Sequence, residues 1–144
     1  MVTKELVRTR DHLVQSLPHK GPALMVDQVL EHAAASVKAE LTITPDNIYV
    51  RNGRFETAGL IEHMAQTVAL HKVIAAEEKG ETAQKGYLTA IKRLQVEQEI
   101  AVASVIQTEI FILVDLHTAV KAKCISRVKN RVVGVAEMLF KIQA

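Results

Sequence analysis

The alternation of apolar and polar residues divides the chain into one long helical stretch set among strands. Residues 36–44 alternate, with Val37, Ala39, Leu41 and Ile43 on one face and Lys38, Glu40 and Thr42 on the other. That period of two marks a half-buried strand. Residues 58–78 change period. Leu60, Ile61, Met64, Ala65, Val68 and Ala75 fall in one half of a 3.6-residue wheel, and Ala69, Leu70, Val73 and Ile74 populate the other. A helix apolar on nearly all sides is expected to be buried. Only its last turn, Glu77-Glu78-Lys79, reads as wet, and Gly80 ends it. After Gly86 the pattern returns to strands: 87–94, 101–114, 119–128 and, beyond a Lys129-Asn130 turn, 132–142.

Ahead of the helix, 45–57 reads as irregular and polar, with turn formers at Asp46-Asn47 and Asn52-Gly53. Residues 3–16 read as a short amphipathic helix or an extended arm, with Leu6, Leu13 and Val14 inward. The stretch Ser16-Leu17-Pro18-His19-Lys20-Gly21-Pro22 holds two prolines and a glycine, which exclude a helix and predict a fixed loop. The apolar run 23–30 turns from that loop into a strand. Strands in hairpin order around one buried helix predict a single α+β domain, 1–144, with an antiparallel sheet of five to six strands.

Composition narrows this picture. Aromatics are 3% of the 144 residues, so the core must be built from Ala, Val, Ile and Leu. The net charge of +2 comes with no Lys/Arg stripe interleaved with aromatics, so no nucleic-acid partner is expected. The charges of Lys4, Arg8 and Arg10 mix with Glu5 and Asp11, as on a solvated helix face. Cys124 is the single cysteine. It excludes an internal disulfide, and no Cys/His cluster has metal-ligand spacing. It lies in the strand-like run 120–125 and reads as a small packing residue. No segment has the pattern of a signal peptide, and the apolar runs fall far short of the ~20 residues that span a bilayer. The expected compartment is the cytoplasm, with no membrane partner.

The chemistry-bearing residues concentrate on the helix. Glu62 and Gln66 are four apart and share a face, which Ala69 and Val73 continue as apolar surface. A carboxylate there is costly unless it is paired or functional. A functional one would have its pKa raised, which suits proton transfer. The competing reading is an ion pair with an arginine or a solvent-facing carboxylate. His63 points roughly 100° away from Glu62 round the helix, and it and His71 read as packed or solvated histidines. His19 sits in the Pro-rich loop. Gly59 opens the helix, where free N–H groups and a partial positive charge can polarise a carbonyl oxygen. No serine elbow and no phosphate-cradling glycine loop is present.

Three segments resemble the 3-hydroxyacyl-acyl-carrier-protein dehydratases of the FabZ and FabA type. Leu17-Pro18-His19-Lys20-Gly21-Pro22-Ala23-Leu24-Met25-Val26-Asp27-Gln28-Val29 is similar to the family's Leu-Pro-His-Arg-x-Pro-x-Leu-Leu-Val-Asp-Arg-Val opening. Gly59-Leu60-Ile61-Glu62-His63-Met64-Ala65-Gln66 resembles its Gly-Val-x-x-x-Glu-Ala-x-Ala-Gln helix, one residue shorter between glycine and glutamate. Residues 132–140 resemble its closing Ala-Glu-x-x-Phe strand, through Ala136-Glu137 and Phe140.

The resemblance implies a hotdog fold and a homodimer or higher even oligomer with acyl tunnels where subunits meet. The substrate would be an acyl thioester carried on phosphopantetheine of acyl carrier protein or CoA, with no other cofactor and no metal. In the family a histidine ahead of the helix removes a proton beside the thioester carbonyl, the helix carboxylate protonates the departing hydroxyl, and a backbone N–H polarises the carbonyl. Carried over by position, Glu62 is the carboxylate, and Gly59, Gln66, Ala58 and Phe55 are substrate-binding positions.

One departure matters. The family histidine belongs to a His-Phe-Pro-Gly stretch, whereas residues 47–58 here hold neither histidine nor proline. This shortened form looks like a divergent, dehydratase-like branch found with aryl-polyene and similar polyketide pathways. Three ways to replace the base are open. His19 supplies it from the Pro-rich loop; a second hotdog protein supplies it across a mixed dimer; or Glu62 alone drives thioester hydrolysis, as in hotdog thioesterases. A catalytically weak acyl-binding partner subunit is the non-enzymatic alternative.

Overall fold

The computed structural model describes residues 4–18 and 21–143. Chain order is β1 (Lys4–Thr9), α1 (Arg10–Ser16), a 3₁₀ turn (Gly21–Ala23), β2 (Gln28–Ala33), β3 (Ser36–Thr42), β4 (Val50–Arg51), β5 (Arg54–Phe55), α2 (Thr57–Glu78), β6 (Gly86–Val96), β7 (Ile100–Ala101), β8 (Val105–Asp115), β9 (Ala119–Val128) and β10 (Arg131–Ile142). The N-terminal segment is therefore both of the expected forms, an extended arm followed by a short helix. Leu13 is fully buried. The Leu6 and Val14 side chains, expected inward, and all of His19 lie outside the described residues.

Among the described residues seven strands form one antiparallel sheet, ordered β1-β2-β3-β8-β9-β10-β6. Five to six strands are expected; β1, which pairs with β2, brings the sheet to seven. A curved antiparallel sheet around one long helix is the hotdog arrangement that the resemblance implies.

The inner face carries the predicted alternation. Val37, Ala39 and Leu41 of β3 are buried, as are Ile106 and Ile110 of β8 and Val120, Ala122 and Cys124 of β9. Burial pushes the Cys124 thiol up to about 12, so it is an inert packing residue. On β10, Gly134 faces the helix. A Cβ there would stand 2.8 Å from Leu60 Cδ2, so glycine lets the first turns of α2 approach the sheet. At its other end α2 stops at Gly80, whose φ is +69°. Glu81 N donates to Ala76 O at 2.9 Å and Gly80 N to Glu77 O at 3.0 Å, the two bonds of a Schellman stop.

Three expectations need correcting. The stretch 45–57 is not wholly irregular. Asn52 and Gly53, at φ +53° and +76°, form a tight turn between β4 and β5, and β5 pairs with β7. Strand 101–114 is broken: Ala103 turns at φ +75° and bonds Ile43 O, so β7 joins the small sheet and β8 starts at Val105. Finally, α2 is not buried all round. Leu60, His63, Met64, Gln66, Thr67, Val68, Leu70, His71 and Ile74 are buried, but Ile61, Glu62, Ala65, Ala69 and Val73 form a half-buried stripe. The sheet covers one side of the helix and leaves the other open.

β6 closes the sheet at one edge, with β10 as its sole neighbour among the described residues. Tyr87 is 54% exposed and Val96 44%, with Leu88 and Leu94 also exposed. A long apolar edge strand is a pairing surface.

Candidate functional site

The β4–β5 hairpin delivers the chain into the first turn of α2. Phe55 is buried, its ring edge-on to Tyr49 at 6.4 Å. Both pack onto Gly59, where a Cβ would lie 2.5 Å from the Phe55 ring and 2.6 Å from Tyr49 Cβ. Glycine is required here by close packing. Its N–H is not the free donor expected from the sequence, because it donates to Glu56 O at 2.9 Å, and Leu60 N donates to the same oxygen at 3.2 Å. The first-turn N–H groups with no helical carbonyl behind them are those of Thr57 and Ala58. Of the two further substrate-binding positions, Ala58 is exposed in the first turn of α2, whereas Phe55 is buried at the end of β5.

Glu62 lies one turn further on, half-buried on the open stripe. Gln66 Nε2 donates to Glu62 Oε2 at 3.1 Å, as the four-residue spacing predicts. No arginine pairs with Glu62 among the described residues. Gln66 is itself buried. Its Oε1 accepts from Met25 N at 2.7 Å, and its Nε2 also donates to Ala23 O at 2.9 Å. Turning the amide over would set N–H against N–H and oxygen against two oxygens, so the network fixes its orientation. Gln66 thus occupies one carboxylate oxygen and leaves the other without a hydrogen bond among the described residues. Burial first, and then the negative charge of Glu62, push the Tyr49 phenol above its usual range. Tyr49 therefore stands in the field of the carboxylate as a neutral phenol. The sequence did not single it out, because it falls in a loop with no periodicity.

His63, His71 and His32 have other partners. His63 is fully buried, with Nδ1 2.7 Å from Met25 O and Nε2 2.8 Å from Thr108 Oγ1, which is 2.6 Å from Ser126 Oγ. Burial drives its pKa down to about 4 despite the opposing Met25 carbonyl and Asp27. His71 stacks on His32 at 4.8 Å and reaches Ala33 O at 3.0 Å. His12 lies on α1 and His117 in the β8–β9 turn. None of these described histidines is bonded to Glu62. No cluster of His, Cys, Asp or Glu among the described residues has the geometry of a metal site.

Two concavities, 480 Å³ and 240 Å³, lie by Gln107, Arg127 and Asn130, on the side of β8 and the β9–β10 turn, and Glu62 lines neither.

Residues 12–128 match the ApeP-like family, described as ApeP dehydratase. The chain belongs to the ApeP-like dehydratase family. In this ApeP-like chain, 139 residues are 24% identical to the 3-hydroxyacyl-[acyl-carrier-protein] dehydratase FabZ of Pseudothermotoga lettingae, covering 92% of this chain and 95% of that protein. Among solved structures, the dehydratase heterocomplex ApeI:P of Xenorhabdus doucetiae superposes with a TM-score of 0.84 at 17% identity, over 90% of this chain and 89% of that one. A hypothetical thioesterase of Streptococcus pneumoniae with coenzyme A matches with a TM-score of 0.66 at 9% identity, over 81% and 84%. At these identities the two structures establish the hotdog fold of the ApeP-like chain.

Proposed function

We propose that this chain is the acid-bearing subunit of a 3-hydroxyacyl thioester dehydratase whose base comes from a second hotdog protein. The observation that carries the reading is Glu62, held by Gln66 on an open helix stripe with no described histidine beside it. Dehydration needs two groups. A base takes the proton from the carbon next to the thioester carbonyl, the C–O bond at the following carbon breaks, and the hydroxyl leaves as water with a proton from Glu62. One carboxylate does not serve both carbons at once. The tight β4–β5 hairpin stands where the resembled family carries its histidine, so the base must arrive from elsewhere. The exposed β6 edge offers a place for the second protein, and the ApeI:P structure is by its description a heterocomplex of dehydratases. The first-turn N–H groups of Thr57 and Ala58 are placed to polarise the carbonyl. The thioester carrier is acyl carrier protein or CoA.

A lone carboxylate also suits thioester hydrolysis, in which Glu62 activates water. Purified protein, alone and mixed with a hotdog protein from the same operon, should be offered 3-hydroxyacyl and saturated acyl thioesters. Water loss that is slow alone and restored by the second protein supports the proposal. Thiol release supports hydrolysis, and neither product points to an acyl-binding subunit. Vigorous dehydration by this chain alone, unaffected by His19→Ala, overturns the shared-site reading.

A further inference from the structure

One hydrogen-bonded path crosses the interior of the molecule and ends on Glu62. Ser126 on β9 bonds Thr108 on β8, Thr108 bonds His63 Nε2, and His63 Nδ1 bonds Met25 O. On the other side of the same residue, Met25 N donates to Gln66 Oε1, and Gln66 Nε2 donates to Glu62. Each group has one role. A carbonyl only accepts, so Nδ1 carries the imidazole proton, and Nε2 accepts from the Thr108 hydroxyl. His63, Thr108 and Ser126 are all fully buried, so an unmade bond in this chain is costly. The segment held is the loop after His19 and Lys20. It takes three bonds from α2, at Ala23 O, Met25 N and Met25 O, and Arg10 holds its far side at Gly21 O and Asp27.

We propose that His63 is a positioning residue for Glu62: it fixes the Met25 peptides, these fix the Gln66 amide, and the amide orients the carboxylate. This rests on reading Glu62 as the acid. The resembled helix has alanine where His63 stands, so the clamp is a feature of this chain's own sequence.

Two neutral replacements separate positioning from bulk stability. Asparagine sets its amide nitrogen at the place of Nδ1 and keeps the bond to Met25 O; glutamine sets its own near Nε2, where it donates to Thr108 Oγ1 in place of accepting from it, and leaves Met25 O without its donor. His63→Asn should leave slow hydrogen exchange of the Gln66 side-chain amide, read by NMR on the full chain, close to that of the unmodified protein. His63→Gln should speed that exchange. It should also lower kcat of the active complex by about 10²-fold, the cost of ångström-scale misplacement, with KM little changed. Nitrogen NMR should find His63 in the Nδ1–H tautomer. Equal Gln66 exchange in the two variants, or an Nε2–H tautomer, overturns the proposal. Glu62→Gln, assayed in parallel, keeps the two claims apart. Retained dehydration overturns the acid reading. Lost dehydration with a fully active His63→Gln overturns the positioning alone.

Discussion

Glu62→Gln keeps an oxygen to accept from Gln66 but removes the group that titrates. The melting temperature is expected to change little, because the residue is half-buried and joins no ion pair among the described residues. Turnover of the active complex is expected to fall by about 10²- to 10⁴-fold, the usual worth of one proton-transfer group. Unfolding of the variant with full activity in the surviving fraction counts against a catalytic role. His63 gives a second, activity-free prediction. Unfolded, it takes up a proton near pH 6.5; folded, it resists until about pH 4. Its contribution to stability is whole above 6.5 and is lost as the pH falls toward 4, on the order of 3 kcal/mol over that window. His71, also lowered by burial, acts in the same direction. Urea midpoints between pH 7.5 and 4.5 should fall more steeply for the unmodified chain than for His63→Asn. The bond between Glu62 and Gln66 was legible from spacing alone, since both sit on one helix. The partners of His63 were not, because Met25 and Thr108 lie 38 and 45 residues away.

At the scale of elements, periodicity located the long ones and missed the short. α2, β9 and β10 lie within a residue or so of their expected bounds. β4 and β5 hold two residues each, too few to alternate, so only the Asn52-Gly53 turn betrayed them. The Gly59 N–H expectation failed because the helix begins two residues earlier, at Thr57, so that N–H already reaches Glu56 O; the hairpin's packing is what requires glycine there, and periodicity carries no sign of it. Gly59→Ala would force a methyl group into Phe55 and Tyr49. It is expected to destabilise the chain by about 1–3 kcal/mol, as overpacking does, read as a lower urea midpoint. It should also weaken turnover by shifting the turn that carries Thr57 and Ala58. Unchanged stability would mean that the hairpin moves aside freely.

At the scale of the molecule, the sheet has two edges, β1 on one side and β6, with its exposed apolar side chains, on the other. Sedimentation at micromolar concentration is expected to show a dimer or higher even oligomer, alone or with the second hotdog protein. Val96→Lys should shift it toward monomer without lowering the helix content seen by circular dichroism. Monomer alone for the unmodified chain, with and without the second protein, would show that the β6 edge is not the pairing surface. Hairpin order foretold an antiparallel sheet, but it could not say which strand is left at the edge, because β6 pairs with β10 across the whole of β8 and β9.

That crossing has a consequence for how the molecule is made. β6 leaves the ribosome well before β10, its one neighbour among the described residues. Until residues 131–142 arrive, β6 has no strand to pair with, the condition in which nascent chains aggregate or engage chaperones. The pairing of Ser36 with Phe111 must also close a loop of about half the chain, which slows the final step. Because the β6 edge takes shape only once β10 is in register, a chain clipped before residue 131 is expected to lose the oligomer that sedimentation reads, even where its other strands still pair.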